Sequence, residues 1–188
     1  IGLKNSGGGG NMIHSGMRKK FNSSYHEIIS LENLLLAWKG FQNGKRNKKD
    51  VLLFERDLMH NILQLHKDLI SKRYKHSPYD AFTVSDPKPR NIHKATVRDR
   101  VVHRAIYHKL YPWFDRNFIP DSFSCRINKG THRAGKRFRR LINEVGKNEH
   151  KNVWVLKCDI KKFFANIDHN VLKKILQRDI ADLDVLNL

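Results

Sequence analysis

The residues best suited to chemistry gather around one carboxylate. Val153-Trp154-Val155-Leu156-Lys157-Cys158-Asp159-Ile160 is a nearly continuous apolar run that closes on Asp159. Such a run predicts a strand buried on both faces. A carboxylate at the end of a buried strand is costly unless it is paired or holds a cation. Asp159 therefore has two readings, a ligand for Mg²⁺ where strand gives way to turn, or a local cap of that turn. Phe163 and Phe164 follow directly. Adjacent aromatics cannot both face a core, so one is expected to be exposed beside Asp159, where it would shape a pocket. Asp168, just before Val171, Leu172, Ile175 and Leu176, reads as a helix N-cap.

A second group is cationic. Asp86-Pro87-Lys88-Pro89-Arg90 is a turn, because each proline lacks a donor and biases its predecessor away from helix. Ala81 to Val84 before it and Asn91-Ile92 after it predict a hairpin with a basic tip. Lys88 and Arg90 are then either an exposed basic turn or a grip for phosphate, for which a guanidinium offers paired donors. Arg100 is either the ion-pair partner of Asp99 or another nearby acid, or a contact to a nucleic-acid strand. The 11 histidines and two cysteines show no spacing that matches a zinc site.

Several elements must position these groups. Residues 1 to about 25 read as flexible, with 1–11 a glycine-rich linker or cloning scar and native sequence starting near Met12. Ser30 caps a predicted helix through Trp38. A second helix is expected to start at Asp50 as N-cap and end near Arg73, with the stripe Phe54, Leu58, Ile62, Leu65, Leu69. A long helix from about Thr96 to Phe118 presents Val102, Ile106, Leu110 and Trp113, and Pro120 closes it. Ser122 to Arg126 reads as a short strand. Gly130-Thr131 opens a helix through Val145, which Gly146-Lys147-Asn148 breaks. Asp182 and Asp184 read as the end of the last helix.

The charge balance narrows the partners. Among 188 residues there are 37 Lys and Arg against 18 Asp and Glu, a net charge of +19. A compact body so charged repels itself unless an anion neutralises it, and nucleic acid is the commonest such partner. The cations are spread along the chain, in Arg18-Lys19-Lys20, Lys45 to Lys49, Lys72-Arg73 and Arg137 to Arg140, which suits a folded surface better than a tail. Hydrophobic residues at 39% can fill a core. Two distant cysteines exclude a disulfide framework, so a reducing, cytoplasmic setting is expected. No stretch nears the length of a membrane span, and no signal peptide is visible.

The stretch from Val155 to His169 resembles motif A of reverse transcriptases, in the lineage shared by group II intron and diversity-generating retroelement enzymes. The resemblance extends upstream, in order, to Asp86 to Ile92, to Arg98-Asp99-Arg100-Val101-Val102-His103, to Phe118 to Arg126, and to Lys129-Gly130-Thr131-His132. It spans roughly Ala81 to Leu176. The fold it implies is α+β, with helical fingers and a small antiparallel hairpin over 12–150. The first strand and helix of a right-hand polymerase palm would then occupy 151–188.

The resemblance also implies roles. Asp159 would be the first of the carboxylates that bind two Mg²⁺ ions, with the backbone carbonyl of Ile160 assisting. Lys88 and Arg90 would neutralise a dNTP triphosphate. Only Pro89 separates them, where the family pattern has several residues. Phe164 falls at the steric gate that selects deoxynucleotides. Arg100, Arg126 and Lys129 would touch the template strand. The implied activity is RNA-directed DNA synthesis, with an RNA template, an RNA–DNA hybrid and dNTP as partners and an accessory protein as a further candidate. The family's Tyr-x-Asp-Asp hairpin has no counterpart among these residues. The chain is accordingly expected to be an N-terminal portion, inactive alone, nucleic-acid binding and prone to self-association. The alternative is a maturase-type RNA-binding module that aids intron folding or splicing without synthesis.

Overall fold

The computed structural model describes residues 20–148 and 150–188. Among these residues there are eight α-helices and one two-stranded antiparallel sheet, an α+β fold. The helices are α1 (Tyr25–Ile29), α2 (Leu31–Phe41), α3 (Lys49–Arg56), α4 (Leu58–Ile70), α5 (Val97–Asp115), α6 (Gly130–Gly146), α7 (His169–Leu176) and α8 (Leu183–Asn187). Strands β1 (Asp80–Ser85) and β2 (Pro89–Lys94) lie between α4 and α5.

Local chemistry fixes most starts. Ser30 caps α2 by accepting from the Asn33 amide, Thr96 caps α5 by accepting from that of Asp99, and Asp168 caps α7 by accepting from Asn170 and Val171. Each satisfies donors that a first turn leaves without partners. The core forms where α1, α2, α4 and α5 meet, around Ile28, Ile29, Leu34, Ile62, Leu65, Leu69, Val101 and Val102. Asn33 is buried there and donates to the carbonyls of Ile28 and Ala105, which ties α2 to α5.

The C-terminal segment joins the same core. Ile180 and Val185 are buried within it, Phe21 bridges Ile180 in parallel, and the Tyr25 amide donates to Asp182 at 2.8 Å. Lys72 adds an ion pair to Asp184 at 2.7 Å. Residues 20–25, expected to be flexible, are therefore pinned. The rest of that expectation, including the 1–11 linker, lies outside the described residues.

Other expectations need correction. Asp50 is not an N-cap: Lys48 holds that position, and Asp50 sits in the first turn of α3. The single helix expected after it is two, broken at Asp57, although Ile62, Leu65 and Leu69 are buried as their stripe predicts. Residues 122–126 are loop with a turn at Ser124 and Cys125, not a strand. Asp182 opens α8 instead of ending a helix, accepting from the amides of Asp184 and Val185. The largest departure is at 153–160. That segment is not in a sheet, and Trp154 and Leu156 are 94% and 88% exposed. A strand exists only through pairing, and among the described residues nothing pairs with it.

Candidate nucleic-acid interface

The predicted hairpin is present with a shorter turn, since Pro89 and Arg90, expected in the turn, belong to β2. Six residue pairs run from Asp80 opposite Lys94 to Ser85 opposite Pro89, leaving Asp86, Pro87 and Lys88 as the loop. All of β1 and nearly all of β2 are exposed, so the hairpin projects from the helical body. Lys88 and Arg90 form no ion pair or side-chain hydrogen bond among the described residues. Both cations are open to an anionic ligand.

The root of the hairpin is anchored by Asp99, which sequence reasoning weighed only as an ion-pair partner for Arg100. Asp99 is fully buried on the first turn of α5. Its carboxylate accepts from Tyr74 Oη at 2.8 Å, the Ser77 amide at 3.2 Å and Thr96 Oγ1 at 2.5 Å. Tyr74 and Ser77 belong to the segment that leads into β1, and Thr96 lies two residues after the end of β2. One carboxylate thus ties both ends of the hairpin to α5. Burial by itself raises the Asp99 pKa, but the bonds from Thr96, Tyr74 and Ser77 outweigh it and hold the carboxyl below its ordinary value. The same contact, with burial as the larger cause, pushes the Tyr74 phenol well above its usual range. The spacing Thr96-x-x-Asp99 resembles a capping box, the one sequence signal that points to this node.

Next to it, the His76 and His103 rings stack at 5.2 Å and 17°, and Tyr79 packs on His76 at 4.8 Å. Burial, then the neighbouring His76, lowers the His103 pKa.

Arg100 is engaged internally. Its Nη2 lies 2.6 Å from Asp50, not Asp99, and its guanidinium stacks 4.8 Å above the Phe41 ring. Lys94 reaches the same Asp50 at 2.8 Å. Burial opposes ionisation of Asp50, yet hydrogen bonds from Lys94 and Arg100 lower its pKa.

Arg126 is engaged more fully. It donates to Asp115 Oδ1 at 2.7 Å and to the backbone carbonyls of Asp115, Ile119 and Ser122. This knot of bonds, with Cys125 and Asn128 at positive φ, shapes the loop after α5 in place of the expected strand. Lys129 donates to the Pro120 carbonyl at 2.7 Å and lies over the Phe123 ring. In this arrangement, Arg100, Arg126 and Lys129 organise the fold.

Asp159 and Ile160 are exposed. No hydrogen bond engages the Asp159 carboxylate among the described residues, so it does not cap the following turn. The chain then turns through Lys162 at φ 51° into a short 3-10 turn, Phe164–Asn166. Phe163 and Phe164 meet edge to face at 5.2 Å and are 50% and 85% exposed.

Asp159 and Ile160 offer hard oxygen donors that suit Mg²⁺, which takes one or two carboxylates alongside water and phosphate. They do not complete a two-metal site. Among the described residues no three His, Cys, Asp or Glu side chains converge on a metal position.

No family model matches the chain. It is 26% identical over 126 residues, 66% of its length, to Protein YkfC of Escherichia coli (strain K12), of which it spans 32%. It is 28% identical over 91 residues, 48% of its length, to Nuclear intron maturase 1, mitochondrial, of Arabidopsis thaliana, of which it spans 12%. The second similarity points to a distant, partial relationship with intron maturases. The chain spans under a third of either relative. No helix among the described residues is long and apolar enough to cross a membrane.

Proposed function

We propose that the chain is an N-terminal portion of an RNA-directed DNA polymerase whose site is completed by residues beyond these 188. The observation that carries this reading is Asp159: exposed, with no hydrogen bond among the described residues, and five positions before an exposed aromatic. In that reading Asp159, with the Ile160 carbonyl, supplies oxygen donors to Mg²⁺, which when bound would offset developing negative charge on the reacting phosphate oxygens. Lys88 and Arg90 bind the triphosphate from an anchored, exposed hairpin. Phe164 fills the space that a ribose 2′-OH would need. The partners are an RNA template, an RNA–DNA hybrid and dNTP.

The test uses a longer protein that contains this segment. Asp159→Ala should abolish dTTP incorporation on poly-rA primed with oligo-dT while RNA affinity is kept, and unchanged incorporation would overturn the proposal. The 188-residue chain alone should incorporate nothing.

The similarity to a protein named as an intron maturase favours a second reading, an RNA-binding module that assists intron folding or splicing. In that case Asp159→Ala leaves the assisted splicing reaction unchanged.

A further inference from the structure

Helix α6 has two unlike sides. Phe138 and Val145 lie along one, 50% and 62% exposed, with Leu141 and Ile142 partly covered. The other side is an open polar face, running from Thr131 to Asn148, with no hydrophobic side chain along it. Lys136, Arg139, Arg140, Asn143 and Lys147 recur along it at three- and four-residue steps, which places them in one stripe. Gly135 sits within the stripe, and a Cβ built there meets nothing within 4 Å, so the backbone is open to close approach.

The stripe carries surplus positive charge. Glu144 is the one carboxylate in its lining among the described residues, and Arg140 pairs with it at 2.7 Å. Neither Lys136 nor Arg139 has an ion-pair partner among the described residues. Arg137 points elsewhere, donating to both oxygens of Asp121 and holding the helix against the preceding loop. The cations are thus presented on a braced helix roughly 25 Å long, at about 1.5 Å per residue.

We propose that this face of α6 is a second nucleic-acid contact, on a different element from the hairpin and Asp159, that grips the phosphodiester backbone of double-stranded RNA. Single-strand sites interleave cations with aromatic stacking platforms, and this face has no Phe, Tyr or Trp. Duplex RNA is recognised by shape, phosphate and 2′-hydroxyl, which lysine, arginine and the Asn143 and Thr131 side chains match. Cations opposite an apolar side also suit an anionic membrane surface. Arg137, however, ties α6 to Asp121, and Leu141 and Ile142 are already partly covered, so the apolar side is not free to immerse whole. The vesicle arm of the experiment tests that alternative. The contact goes beyond the proposed function and requires neither Asp159 nor synthesis, so it would serve a polymerase or a maturase-type module alike.

The experiment measures fluorescence anisotropy of a short labelled RNA duplex with the 188-residue chain across a salt series. The double variant Lys136→Gln/Arg139→Gln should lower the slope of log Kd against log salt by about two, one per phosphate contact removed. Gly135→Glu adds a carboxylate in open space and improves helix propensity, so it should keep the circular dichroism of the parent yet weaken binding roughly tenfold by like-charge contact. The pair Lys88→Gln/Arg90→Gln should leave the α6-dependent difference in slope intact, which separates this contact from the hairpin. An unchanged slope in the α6 double variant with helix content preserved would overturn the proposal. So would single-stranded poly-uridylate, duplex DNA or phosphatidylserine vesicles bound as tightly as the RNA duplex.

Discussion

Replacing Asp99 with alanine removes the acceptor on which Tyr74, Ser77 and Thr96 converge. A buried donor left without a partner costs about 1–3 kcal/mol. The three donors are part-buried, so water can reach them, and the low end applies. The expected loss is about 3 kcal/mol in all, against a typical domain stability of about 5–15 kcal/mol. Urea unfolding, followed through the buried Trp38 and Trp113, measures this directly. Hydrogen exchange should show faster opening of the β1–β2 amides, because both ends of the hairpin lose their tether. The isosteric Asp99→Asn, which keeps one acceptor, should fall between parent and alanine variant. The folded Asp99 pKa lies below its unfolded value. Its contribution is therefore fully present above the unfolded pKa of about 3.9 and is lost as pH falls below that toward the folded value. Asp99→Asn should flatten that acid limb. A loss under about 1 kcal/mol in Asp99→Ala, with unaltered hairpin exchange, would refute the anchoring argument.

Other perturbations separate fold from interface. Arg100→Ala should cost about 1 kcal/mol, from the Asp50 pair and the Phe41 stack, yet leave the salt slope of RNA binding unchanged; a reduced slope would return Arg100 to the template. Leu34→Ala, at a fully buried position where α2 meets α5, should cost about 2–5 kcal/mol by urea unfolding. The 188-residue chain should self-associate through the exposed Trp154, Leu156 and Phe164. Light scattering would detect this, and Leu156→Asn should shift the distribution toward monomer; a monomer at all concentrations would contradict the expectation.

Ser30 and Asp168 could be read as caps, the start of α5 near Thr96 as a helix start, and the β1–β2 turn as a turn, because each depends on neighbours within a few residues. The exposed ring expected beside Asp159 is present, but Phe163 and Phe164 are both exposed and neither joins the core, so the core-face argument does not account for the pair. Long-range partners were not legible. Arg100 is adjacent to Asp99 in sequence yet pairs with Asp50, 50 residues away. Asp99 takes its phenol from Tyr74, 25 residues away. The apolar run at 153–160 carries a strong strand pattern, but pattern describes only what a strand would bury; pairing needs a neighbour.

The sequence by itself determined the α+β composition, the starts of α2, α5, α6 and α7, the basic hairpin and the excess of positive charge, all consequences of local geometry and counting. The tertiary structure decided which cations are free and which are tied down. It sent Arg126 into its loop, Arg100 to Asp50 and the C-terminal segment onto Phe21 and Tyr25, and it left Lys88, Arg90 and the α6 stripe open. The reason is physical: a charge finds its partner through space, and distance along the chain says little about which groups folding brings within hydrogen-bond reach.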